Sequence, residues 1–201
     1  MPGTSRPIRI TEGFIAPNHS ITVIAHWELN VNTTRHWREL GVWMWWRSNN
    51  VPLRSFDVCP NLSANWQPAM TNGMNNWNRL NTPVTFLPNQ STNNRVNAGV
   101  QRFNYLGLIN SVPLGVPFIP DRFTISLNSC AIIDYAARHD ANLLYTVVAS
   151  IMAHELGHAV GLQDNPIALN NGSLMNHRRN RTLVQEPTQF DIESVRMIYD
   201  D

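Results

Sequence analysis

The sequence predicts an α+β fold in which a twisted, mixed and mostly parallel sheet is backed by helices. Short segments alternate apolar and polar residues, as half-buried strands do. Two longer segments repeat apolar residues every three or four positions, as amphipathic helices do. The chain has 201 residues, of which 43% are hydrophobic and 14% charged. This length and composition suit one globular domain with a sizeable core.

The first part of the chain predicts an arm and two strands. Residues 1–20 contain Pro, Gly and Ser without an apolar period, which is typical of an extended arm. Apolar residues alternate from Ile21 to Val31 and predict a strand. The segment from Gly41 to Arg47 holds three tryptophans. It favours a core strand over a sugar-binding face, because such aromatic runs are usually buried.

The middle of the chain predicts a helix followed by short strands. Within Asn61–Leu80, apolar residues recur at spacings of three and four and form one face, namely Trp66, Met70, Met74 (or Gly73) and Trp77. The helix is expected to end before Pro83. Strand candidates follow at Val84–Leu87, Asn94–Phe103, Tyr105–Ser111 and Arg122–Asn128. Between the last two, Val112–Pro120 contains three prolines and a glycine, which predicts a loop.

The longest predicted helix spans Asn142–Val160. This segment has no proline and a single glycine, and its apolar residues follow helical spacing. Asn142 is the expected N-cap, since an asparagine side chain can accept a hydrogen bond from a free backbone N–H of the first turn.

The charge and the hydropathy of the chain argue against a nucleic-acid partner and against a membrane span. The formal net charge is +1 and no basic block occurs, so a nucleic-acid partner is not expected. No run of about 18 apolar residues occurs, so no membrane span is expected. The N-terminus also lacks the apolar core of a signal peptide.

The two cysteines, Cys59 and Cys130, leave two alternatives open. A disulfide between them would close a loop of about 70 residues and contribute roughly 4 kcal/mol to stability. The other alternative is two separate thiols, and the sequence does not distinguish them.

The segment His154–Asp164, HELGHAVGLQD, combines residues that can hold a metal ion. Positions i and i+4 of a helix share one face, so His154 and His158 can direct both imidazoles at one zinc ion. Glu155 then lies beside the ion but off the ligand axis. From there it can accept a proton from water as a general base.

A catalytic zinc takes three protein ligands and keeps one position open. Gly161 is expected to end the helix, because glycine tolerates the left-handed conformation of a helix terminus. Asp164 can then return to the ion as the third ligand. The alternative for Asp164 is an ordinary turn residue, and that for the histidine pair is a partly buried pair on an amphipathic helix.

These residues resemble the metzincin clan of zinc endopeptidases, in the pattern His-Glu-x-x-His-x-x-Gly-x-x-Asp. The aspartate at the last position is similar to the snapalysin branch. The segment Gly172–Asn176, GSLMN, resembles the Met-turn of the clan, in which Met175 would form an apolar floor beneath the metal. The tail from Pro187 to Tyr199 is similar to the closing helix of matrixins. The specific resemblance covers about 143–201.

The resemblance implies one catalytic domain with one catalytic zinc ion (Zn2+). It implies an upper subdomain at 21–161 with a backing helix and an active-site helix, and a smaller irregular subdomain at 162–201. Some metzincins carry a tyrosine two residues after the Met-turn methionine, and His177 occupies that position here. His177 could support the oxyanion, ligate the metal or lie on the surface.

The activity implied by the resemblance is hydrolysis of internal peptide bonds. The protein or peptide substrate would lie extended in a cleft along the Tyr105–Ser111 edge, and the enzyme would act as a secreted monomer. Two alternatives remain. One is a zinc exopeptidase or an amidase of cell-wall peptide, and the other is a zinc-bearing toxin or binding module with incidental activity.

Overall fold

The computed structural model describes residues 50–54, 56–113, 120–165 and 172–199. These residues form a mixed α+β fold, as predicted. The strands are β1 (Asn50–Leu53), β2 (Asp57–Val58), β3 (Thr85–Pro88), β4 (Arg95–Gly99), β5 (Gly107–Pro113) and β6 (Pro120–Asn128). The helices are α1 (Trp66–Asn78), α2 (Ser129–His139), α3 (Leu144–Ala159) and α4 (Gln189–Tyr199).

The main sheet has four strands in the order β2-β4-β6-β5. Strands β2, β4 and β6 are parallel, whereas β5 pairs antiparallel with β6. The core-facing Val96 and Ile109 both lie opposite Ile125, whose side chain is fully buried. Strands β1 and β3 form a separate parallel pair. Strand β5 therefore ends the main sheet at the side where the histidine helix lies.

Helix α1 is the backing helix and packs against α3. Its buried face contains Trp66, Met70 and Trp77, the residues that predicted it. The indole N–H of Trp77 donates to the carbonyl of Ala153 at 2.8 Å, which satisfies the one polar group of this large side chain. This contact fixes α1 on the helix turn that precedes His154.

Helix α3 is buried on nearly every side, because it lies between α1 and the sheet. Its start differs from the prediction. Asn142 lies in a short 3-10 turn, Ala141–Leu143, and does not cap α3. Asp140 caps that turn instead, since its Oδ1 accepts from the backbone N–H of Asn142 at 2.9 Å. An aspartate carboxylate can accept such a hydrogen bond as an asparagine side chain can.

Helix α2 was not predicted. The side chain of Asn128 accepts from the N–H of Ala131 and caps the helix, while Ile132 and Ala136 bury one narrow face. The predicted loop Val112–Pro120 is wrong at both ends, because β5 continues to Pro113 and β6 begins at Pro120. Strands β1 and β2 were also not anticipated.

Several predictions concern residues that the structure does not describe, or describes differently. The arm at 1–20 and the strands Ile21–Val31 and Gly41–Arg47 lie outside the described residues. Cys59 is half-buried and Cys130 exposed, and both are free thiols, so the disulfide alternative is wrong. Among the described helices, none combines the length and apolarity needed to span a bilayer.

Candidate metal centre

Helix α3 places His154 and His158 one turn apart on the same face. Their Nε2 atoms are 3.2 Å apart, and the two rings meet edge to face. His154 is 7% exposed, so water solvates it poorly. Burial lowers the pKa of both imidazoles, and the guanidinium of Arg179 lowers them further. Both histidines are therefore neutral at neutral pH.

Backbone carbonyls select the tautomer of each histidine. Nδ1 of His154 lies 2.9 Å from the carbonyl of Leu174, and Nδ1 of His158 lies 2.7 Å from the carbonyl of Leu162. A carbonyl can only accept, so we assign the proton of each imidazole to Nδ1. The Nε2 lone pairs then face the same space. Partners of this kind orient histidine ligands in metal proteins.

Gly161 ends α3 in the left-handed conformation, with φ of 102°, as predicted. The chain therefore turns back, and Asp164 Oδ1 reaches 3.3 Å from Nε2 of His154 and 3.7 Å from Nε2 of His158. Burial alone would raise the pKa of Asp164, but the adjacent imidazoles of His154 and His158 hold it below its usual range. Asp164 is ionised at neutral pH.

The three convergent atoms fit a metal ion. The ligand atoms of His154, His158 and Asp164 all lie within 4.8 Å of one another. In the tautomers that the carbonyls select, two lone pairs and one carboxylate face each other without a proton between them. Such a set repels itself until a cation lies among the three atoms, and two imidazoles with one carboxylate suit zinc.

The carboxyl of Glu155 is enclosed between α3 and the start of β5. A Cβ atom on Gly107 would lie 2.4 Å from Glu155 Oε1 and 2.8 Å from its Cδ, so only glycine leaves room for this side chain. Burial and the charge of Asp164 raise the pKa of Glu155 to about 8, although Arg179 and Arg181 oppose the shift. The sequence analysis did not identify Gly107, because 48 residues separate it from Glu155.

A buried arginine lies beside the site and was not predicted. Arg179 is 3% exposed, and its Nη1 lies 3.2 Å from Nδ1 of His154. Its Nη2 donates to the carbonyl and hydroxyl of Ser150, and its Nη1 donates to the carbonyl of Asn176. Burial lowers the pKa of Arg179 to about 9, so it remains a cation at neutral pH. No local sequence signal distinguishes it from the neighbouring exposed arginines.

The turn at 172–176 is attached to the last helix. Asp191, fully buried in α4, accepts from the hydroxyl of Ser173 at 2.6 Å and from the N–H of Leu174 at 2.8 Å. The Leu174 carbonyl in turn orients His154. Met175 is fully buried, and its sulfur packs on Gly157 between the two histidines. The turn therefore supports the helix face that bears them.

A cleft of about 650 Å³ opens over these residues. Residues of β5, the residues just before it and residues of α3 line this cleft. His177, Arg179 and Arg181 also line it. His177 is exposed and lines the cleft, and it is not one of the three convergent groups. The remaining histidine of the described chain, His139, lies on α2.

Comparison with known proteins supports the fold. No protein-family model matches the chain, and no curated protein matches it. A chain of the GM1-bound form of the ECX AB5 holotoxin is similar, with a TM-score of 0.50 and 14% identity, covering 75% of this chain and 80% of that one. A chain of high choriolytic enzyme 1, a hatching-enzyme zinc-protease from medaka (Oryzias latipes), aligns with a TM-score of 0.47 and 13% identity. That alignment covers 78% of this chain and 94% of the medaka chain. The likeness to the holotoxin chain concerns the fold alone.

Proposed function

We propose that this chain is a zinc-dependent endopeptidase. The observation that carries the proposal is the convergence of three potential ligand atoms, from His154, His158 and Asp164, in a cleft that the carboxyl of Glu155 also lines. Three protein ligands with an accessible side facing a cleft are typical of catalytic rather than structural zinc sites, which are closed by a fourth protein ligand.

Each of the three ligands has its own role in this proposal. His154 and His158 would hold the ion by Nε2, each oriented by the carbonyl on its Nδ1. Asp164 would be the third ligand, and its negative charge would lower the net charge of the zinc site. When bound, zinc supplies a Lewis acid that polarises the scissile carbonyl and makes water a nucleophile near neutral pH.

Glu155 is the proposed general base. Its carboxyl would accept the proton of the attacking water and then deliver it to the leaving amine. A pKa near the operating pH serves both steps, and burial raises the pKa of Glu155 from 4.5 towards that range. Gly107 leaves the space in which the carboxyl lies. His177, which lines the same cleft, is proposed to donate a hydrogen bond to the oxyanion.

Strand β5 is the proposed substrate-binding edge. It pairs with β6 on one side only among the described residues, and residues 105–109 line the cleft. An extended peptide could add to this edge as a further strand, with its scissile bond over Glu155. The turn at 172–176 would then correspond to a Met-turn, and Asp164 to the third ligand of the snapalysin branch.

We further propose that one catalytic domain, divided at Gly161, performs this reaction. We also propose an extracellular setting, by analogy with the small secreted proteases that the motif resembles. The partner in this proposal is an extended protein or peptide, and the enzyme acts as a monomer.

Digestion of casein tests the proposal. Wild type is expected to produce internal fragments, and a chelator or the substitution Glu155→Gln should abolish them. Release of terminal residues only would instead support the exopeptidase alternative. If a zinc-loaded wild type cuts neither casein nor a diverse peptide library, the protease proposal is wrong.

A further inference from the structure

Arg181 is a cation fixed in the wall of the cleft. Its guanidinium lies 5.2 Å from the centre of the Tyr135 ring, and its backbone N–H donates to the hydroxyl of Tyr135 at 3.2 Å. Its Nη2 donates to the carbonyl of His177 at 2.8 Å, and its Nη1 donates to the carbonyl of Arg179 at 3.3 Å. The side chain is therefore positioned before any ligand arrives.

The guanidinium retains donors for a ligand. An arginine has five N–H hydrogens, and the two carbonyls account for two of them. Within the described part of the chain, no carboxylate forms an ion pair with Arg181. Arg179, by contrast, is buried and bonded to Ser150 and Asn176. Of these two cleft arginines, Arg181 is the one that a substrate can reach.

The position of Arg181 relates it to the reacting centre. It lines the same cleft as Glu155 and the three convergent atoms. A planar, half-exposed guanidinium with free donors matches the two oxygens of a carboxylate, which it can bind through paired hydrogen bonds.

We propose that Arg181 binds a carboxylate of the substrate, and thereby selects acidic peptides. This inference rests on the proposed function. The carboxylate can come from an Asp or Glu side chain near the scissile bond or from the free C-terminus of the peptide. Arg181 is a specificity residue in this account and takes no part in the proton transfers.

Two pairs of peptides test the inference and separate the two sources. In the first pair, blocked at both ends, Asp is exchanged for Asn at each position flanking the cut. In the second pair, a neutral peptide carries a free or an amidated C-terminus. We expect kcat/KM to be about 10- to 100-fold higher for the carboxylate member of at least one pair. Arg181→Gln should remove this preference and still cut the neutral member.

Arg178→Gln is the matched control. Arg178 lies in the same segment and carries the same charge, but its side chain is exposed and does not line the cleft. It should retain the preference. Because Arg181 also packs on Tyr135, circular dichroism checks the fold of each variant. The comparison of paired peptides on wild type needs no variant.

Binding distinguishes failure of this inference from failure of the proposed function. The Glu155→Gln protein, loaded with zinc, is titrated with the same peptides by calorimetry. If wild type cuts nothing, the protease proposal fails, but the carboxylate member should still bind about 10- to 100-fold more tightly. Equal binding within both pairs, or a preference that survives Arg181→Gln, would overturn the role of Arg181 even if the peptides are cut.

Discussion

Replacing Glu155 with glutamine should stabilise the metal-free protein while abolishing its proposed activity. The carboxyl is 4% exposed and enclosed against Gly107, and its pKa rises from 4.5 to about 8. A folded-state pKa above the unfolded value means that the native state binds the proton more tightly. The stability that this gives is complete below pH 4.5 and is lost as the pH rises towards 8. Glutamine resembles the protonated form and avoids this loss.

The size of this change in the free energy of unfolding follows from the shift in the pKa of Glu155. One pKa unit corresponds to about 1.4 kcal/mol, so the loss at pH 7, which lies about 2.5 units above 4.5, is about 3 kcal/mol. At pH 5 the same calculation gives a loss of stability of about 1 kcal/mol. Glu155→Gln should therefore raise the free energy of unfolding by about 3 kcal/mol at pH 7 and by about 1 kcal/mol at pH 5.

Urea denaturation in the presence of a chelator measures these differences at both pH values. Glu193→Gln on α4 is the control, because this exposed glutamate should change stability by no more than about 0.5 kcal/mol. The reasoning is refuted if Glu155→Gln does not stabilise the protein at pH 7, or if its effect is the same at both pH values.

Three further predictions concern the support of the site. Gly107→Ala should displace Glu155, since the new Cβ would lie 2.4 Å from its Oε1, and should lower kcat about 10- to 100-fold while zinc stays bound. Asp191→Asn should lower unfolding stability by about 3 kcal/mol and zinc affinity about tenfold, because Asp191 holds the turn that orients His154. Because the pKa values of His154 and His158 are lowered, zinc affinity should fall less than about tenfold between pH 7.5 and 5.5.

The controls and the contradicting results differ among these three predictions. Gly99→Ala on β4 should leave kcat unchanged, and loss of zinc from Gly107→Ala would indicate general damage to the site instead. An Asp191→Asn protein as stable as wild type would contradict the account of the turn. Two histidines of ordinary pKa would lose about 100-fold in zinc affinity over the stated pH range, and that result would contradict their burial as neutral ligands.

Local periodicity explains what could be predicted. The i, i+4 spacing of His154 and His158 requires a shared face once the segment is helical, and the structure has that helix. Gly161 was predicted to take a left-handed conformation, which it does. The return of Asp164 depended on resemblance to known proteases, because spacing alone also allowed a plain turn. Local sequence thus predicts the helix face but not the closure of the site.

Long-range packing explains what could not be predicted. Gly107 meets Glu155 only because β5 ends the sheet beside α3, and no local signal encodes that contact. Arg179 is buried beside His154 by the fold of the segment that follows the turn at 172–176, and no local signal encodes that burial. Helix α2 was not predicted, because its narrow apolar face gives a weak periodic signal.

Zinc content tests the central claim most directly. Purified wild type, dialysed against metal-free buffer after loading with zinc, is analysed by plasma mass spectrometry beside Glu155→Gln and the double substitution of His154 and His158 by alanine. We predict about one zinc ion per chain in wild type and in Glu155→Gln, and none in the double variant. Absence of zinc from wild type, or equal retention by the double variant, would contradict the claim.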